Sequence, residues 1–121
     1  MARRAALLIS SSMEEARLIR ERARIQRRGI SSYMLNIAMR AVQFEENLIS
    51  RDPTLRRFLY DAAIRVPGPR TAILLRCSKD ESERIRRVAQ IRGVTISGLV
   101  LYSIRRSWEI QQNLIQRYFG R

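Results

Sequence analysis

From Ala5 to Ser10 the chain reads AALLIS, a short apolar run, and beyond it the apolar positions thin out to every third or fourth residue. The run is too short for a helix and stands just before a strong helix start, so it predicts a strand. Ser12 and Glu15 fit a capping box, in which the serine oxygen accepts from a free first-turn N–H and the glutamate reaches back. The first helix carries Ile19 and Ala23 at helical spacing among arginines and glutamates, and ends near RRG, where Gly29 supplies a turn. A second helix starts close to Ser31 and runs through YMLNIAMRAVQFEENLI; as the most apolar stretch of this half it is the expected centre of the core.

The same signals then recur. TAILLRC predicts a strand, Ser78 with Glu81 a capping box, and Ile85, Val88 and Ala89 a helix that ends at Gly93. Thr95 or Ser97 starts a last helix through GLVLYSIRRSWEIQQNLIQRY. Sliding the chain by 66 residues lays 4–51 over 70–117 without a gap, and NLISR falls on NLIQR. Roughly a third of these positions are identical, the mark of a duplicated structural unit. A unit of about 50 residues is too small to bury a core alone, so the two copies are expected to pack on each other. The matched large residues Tyr33 and Leu99, Val42 and Trp108, Phe44 and Ile110 are expected as packing, and Cys77 as a small buried hydrophobe.

Between the copies, Asp52 and Pro53 fit an N-cap and first helical position, and Leu55, Phe58, Leu59 and Ala62 recur at helical spacing. A short linking helix is expected, followed by a rigid turn at Pro67, Gly68 and Pro69. The chain thus divides into a first unit, 1–51, a linker, 52–69, and a second unit, 70–121, together one compact domain.

Charge changes the picture. There are 24 basic and 11 acidic residues, a net charge of +13, and every basic residue but Lys79 is arginine. A polyanionic partner is the first expectation, and an Arg-rich solvated surface the alternative. With no histidine and one cysteine the chain has no means for a zinc finger, a disulfide within the chain or His-dependent catalysis. No nucleophile and base stand at a recognisable spacing, so neither an enzyme nor a cofactor is expected. The apolar run AALLI is too short for a signal-peptide core or a membrane span, which leads to the expectation of a cytoplasmic protein without a membrane anchor.

Strand, helix, Gly-containing turn, and helix with serine near its start: this grammar resembles the ribbon-helix-helix family, to which the methionine repressor and Arc repressor belong. The second half is the more typical, with Ile85, Val88, Ala89, Gly93, Val94, Thr95, Ser97, Leu99, Val100 and Ile104 in the family's pattern. The first half departs from it: Gly29 falls on Thr95 rather than Gly93, and Arg28 stands in place of Val94. The resemblance implies a mainly α fold with a short β-ribbon, built as two tandem ribbon-helix-helix units packed as an intramolecular pseudo-dimer. Pairing between chains, copy one with copy one in a homodimer, is the alternative. It further implies double-stranded DNA as partner, with the antiparallel ribbon in the major groove, and a prokaryotic or phage transcriptional regulator as function. The family also includes antitoxins and plasmid-transfer accessory proteins, so a protein partner on the ribbon face or linker helix is the other class.

Strand side chains alternate faces. Leu7, Ile9, Ser11, Ile73, Leu75 and Cys77 form the set expected to face the helices. The opposite set, led by Arg4 and Arg70, holds the expected base readers Ala6, Leu8, Ser10, Ala72, Leu74 and Arg76. Arg76 could bond a guanine bidentately and Ser10 could bond either way, while Ala and Leu suit thymine methyls. The two apolar pairs also suit a protein surface. For phosphates the resemblance points to the starts of the second helices, at Gly29, Ser31, Thr95 and Ser97. Arg3, Arg4 and Arg70 at the strand entrances, and Arg27, Arg28 and Arg92 in the turns, would add to that clamp. Ser10 and Arg76 occupy matching places, so a target would be non-palindromic.

Overall fold

The computed structural model describes residues 3–55 and 57–119. The elements in order are β1 (Arg4–Ser12), α1 (Met13–Ile25), α2 (Ile30–Arg51), a single turn α3 (Tyr60–Ala63), β2 (Arg70–Ser78), α4 (Lys79–Arg92) and α5 (Ile96–Phe119). The protein is mainly helical, and its described strands form one two-stranded antiparallel sheet. Arg4 lies opposite Ser78, Leu8 opposite Leu74 and Ser12 opposite Arg70. The pairing carries on past the strand ends. Met13 N–H donates to Pro69 O at 2.9 Å and Lys79 N–H to Arg3 O at 2.8 Å, so each following helix has one of its orphan donors satisfied by the other strand's entrance.

Alternation along the strands buries Leu7, Ile9 and Ser11 with Ile73, Leu75 and Cys77 against the helices. Ile19, Tyr33, Met34 and Val42 meet Ile85, Val88, Leu99 and Ile104 there in one core. Each such side chain contributes about 1.5–3 kcal/mol by leaving water. Both helix starts use the expected serines. Ser78 and Glu81 form the full reciprocal box, whereas Glu15 sends its carboxylate to the Ser12 hydroxyl and to Arg105 rather than to the Ser12 backbone.

Three local expectations are corrected. Gly93 ends α4 in the left-handed region at φ 68°, but the matching left-handed residue in the first half is Arg27, at φ 54°. Gly29 instead has φ −64° and is the N-cap of α2, so the turn there rests on a non-glycine residue at about 1–2 kcal/mol of backbone strain. Ser31 lies inside α2 and is not its cap, whereas Thr95 Oγ1 accepts from Gly98 N–H at 2.9 Å and does cap α5. Asp52 does not open a helix: its N–H closes α2 on Leu48 O, and its carboxylate accepts from both the N–H and hydroxyl of Thr54. That local turn outcompetes a helix start, and the linker's helix shrinks to α3.

Of the expected packing residues, Tyr33, Leu99 and Val42 are buried and Trp108 is half-buried, but Phe44 and Ile110 are 54% and 50% exposed. The halves are further joined by polar contacts: Arg92 to Glu45 at 2.6 Å, Arg84 Nε to Glu46 at 3.0 Å, Arg105 to Glu15 at 2.9 Å, and Trp108 Nε1 to Tyr33 Oη at 2.9 Å. Among the described residues no helix is long and apolar enough to cross a membrane.

Candidate nucleic-acid interface

The second face of the sheet is open. Ala6, Leu8, Ala72, Leu74, Arg4, Arg70 and Arg76 are exposed on it and Ser10 partly so, with Leu8 at 69% and Leu74 at 44%. The register sets Leu8 opposite Leu74 at the centre, Ala6 opposite Arg76 towards one end, and Ser10 opposite Ala72 towards the other. The two ends differ. Arg70 donates to the Ser10 hydroxyl at 3.1 Å and to Val66 O at 3.3 Å, so these two side chains hold each other. The Arg76 guanidinium has no such partner among the described residues; it stands where a hollow of about 700 Å³ lined by Arg3, Arg4, Ala6 and Leu74 meets one of about 750 Å³ lined by Arg28, Asn36 and Arg40.

Ser31 and Ser97 are brought to the sheet, but not as free hydroxyls. Ser31 Oγ accepts from Arg76 N–H at 2.9 Å and donates to Leu74 O at 3.2 Å, while Ser97 Oγ accepts from Ser10 N–H at 2.8 Å. Both edges of a two-stranded sheet expose unpaired backbone groups, and on the strand of the other half Ser31 satisfies two of them and Ser97 one. Thr95 is likewise engaged, in capping its own helix. The hydroxyls of Ser31 and Ser97 are thus structural latches and that of Thr95 is a cap.

The two helix starts are also unequal. Gly29 is exposed, and a Cβ placed on it would meet nothing within 4 Å. A Cβ on Gly98 would stand 2.4 Å from Ala62 O, so the α5 start admits the linker backbone only because residue 98 has no side chain. Phe58, Ile64 and Val66 of the linker share the hollow beside Thr95 and Ser97.

Arg3, Arg27 and Arg28 are exposed as expected of surface cations. Arg92 is not: it is buried, with its Nε on Glu45 and one amino nitrogen 3.4 Å from Leu55 O, and cannot reach an external phosphate. A glutamate in the most apolar helix was the available sign, since a buried carboxylate requires a cation. Arg40 was missed; Arg28, Ser32, Asn36 and Arg40 recur every four residues and face the second hollow together. The arginines of α1 and α4 are partly engaged: Arg17 with Glu14 and Glu21, Arg84 with Glu46, and Arg22 over the Trp108 ring at 4.9 Å. Cys77 packs inward, and burial pushes its thiol pKa up, away from the reactive thiolate.

No family model, curated protein or solved structure matches this chain.

Proposed function

We propose that the chain binds double-stranded DNA as a fused pair of ribbon-helix-helix units, and acts as a transcriptional regulator of prokaryotic or phage type. The observation that carries this reading is the antiparallel ribbon itself: two nine-residue strands of one chain, packed on helices by one face and open on the other, with an unengaged Arg76. A two-stranded ribbon fits a major groove about 12 Å wide. Arg76 then donates to a guanine edge, and Leu8, Leu74, Ala6 and Ala72 meet thymine methyls. Arg3, Arg4 and Arg28 neutralise phosphates, as do the backbone N–H groups at the open start of α2. The net charge of +13 supports the same partner.

The test is selection from random duplexes at about 50 and 200 mM salt. Enrichment of a short asymmetric sequence, with affinity falling about 10³-fold between the two salts, is the expected result. Binding without enrichment would reduce the ribbon to an architectural contact. The second reading, a protein bound on the ribbon face, is favoured by the central Leu8 and Leu74; it predicts no duplex binding and an interaction that survives salt.

A further inference from the structure

α2 and α5 also leave an apolar groove of about 570 Å³ between them, with no strand residue in its lining. Ile37, Ala41 and Phe44 of α2 form its floor with Tyr102 and Ile110 of α5. Phe44 and Ile110 occupy matching places in the two halves and are both about half exposed, an expensive arrangement for large apolar side chains on a free surface. The rim is cationic. Arg40 has no partner among the described residues, and Arg106 has only an exposed pair with Glu109 at 3.3 Å. Arg57 lies over the Phe44 ring at 5.5 Å and shares the single carboxylate of Glu45 with Arg92.

We propose that this groove docks an acidic amphipathic helix of a partner protein, its apolar face on Phe44 and Ile110 and its carboxylates on Arg40, Arg57 and Arg106. A cleft lined by two helices accepts anchors spaced i, i+3 or i+4, and i+7, and the rim selects their flanking charge. A second copy of this chain is the poorer occupant. In a two-fold contact the arginine rims would face each other, on molecules that each carry +13. The inference does not depend on what the ribbon binds, since Arg40 is the one groove residue that also borders the hollows beside the ribbon.

The experiment titrates the full chain against a labelled synthetic helix of about 18 residues, leucines on one face and glutamates elsewhere, at about 150 mM salt. A permuted peptide of identical composition, unable to gather its leucines on one face, is the control. The expected result is binding of the amphipathic peptide alone, weakened about tenfold by the double variant Phe44→Ala/Ile110→Ala and by Arg40→Glu, and unchanged by Arg76→Ala. Phe44, Ile110 and Arg40 are exposed, so retained thermal melts would show that the fold survives. Equal binding of both peptides would overturn the proposal in favour of unspecific charge attraction. Sedimentation showing a dimer that Phe44→Asp dissociates would overturn it in favour of a second copy. Absence of duplex binding, with peptide binding intact, would sink the DNA reading alone.

Discussion

Arg92 Nε donates to Glu45 Oε1 at 2.6 Å, and each of the two side chains is only 3% exposed. The bond ties α4 to α2, that is, the second half of the chain to the first. It has no counterpart, because Arg92 falls on Gln26 and Glu45 on Gln111 when the halves are superposed in sequence. Two first halves from different chains would therefore set Glu45 against glutamine, and two second halves would strand Arg92. A buried charge without a partner is costly, so this one-sided pair favours joining unlike halves, as β1 and β2 are joined here.

Glu45→Gln should cost about 3–5 kcal/mol in urea denaturation, because it leaves Arg92 buried beside no carboxylate. The site has no spare acceptor: Arg92 Nη2 is already buried without a partner. Glu45→Met with Arg92→Met should recover most of that loss, since an apolar pair leaves no buried charge, and Arg57, which also loses its carboxylate, is partly exposed. A single variant as stable as the parent would show the pair to be incidental.

The Arg84 hydrogen bond holds the Glu46 carboxyl below the usual carboxylate range, although partial burial works the other way. A depressed folded pKa stabilises the protein above the ordinary glutamate value of about 4.3, and that contribution is lost as pH falls through the folded value. Arg84→Gln should flatten this acid limb while changing stability least below it. Thermal melts from neutral to acid pH measure the difference.

Ser31→Ala and Ser97→Ala each free one strand-edge N–H, at Arg76 and Ser10 respectively. A bond of this kind is worth about 1 kcal/mol, so amide exchange at those two residues should quicken roughly fivefold. Unchanged exchange at Arg76 in Ser31→Ala would show that the serine does not latch the edge.

Gly98→Ala drives a methyl group into the Ala62 carbonyl. The linker has to shift, at about 1–3 kcal/mol, and proteases should cut within residues 52–69 sooner than in the parent.

Arg76→Ala should weaken duplex binding by about 1–3 kcal/mol, concentrated at one base position. An equal loss on every sequence would make Arg76 a phosphate contact instead.

What was legible in the sequence is what neighbours within a few residues decide. Alternation along RAALLISSS and RTAILLRCS sorted buried from exposed side chains, and Ser12 and Ser78 marked both helix starts. The hidden features depend on partners far along the chain. Ser31 and Ser97 look like caps until the opposite strand's N–H groups are in place, and Arg92 looks like a turn cation until Glu45 lies beside it. Phe44 and Ile110 have the size of core residues, but the crossing of α2 and α5 leaves them in an open groove. Asp52 failed for a local reason, since the same side chain that can cap a helix can close a turn on Thr54.

Because β1 and β2 belong to one polypeptide, each strand keeps its mate however far the protein is diluted. A ribbon assembled from two separate chains melts at a temperature that falls with concentration, and at trace levels it comes apart. A tether such as residues 52–69 holds the mate at a local concentration on the order of millimolar. The pairing of β1 with β2 itself then does not weaken with dilution.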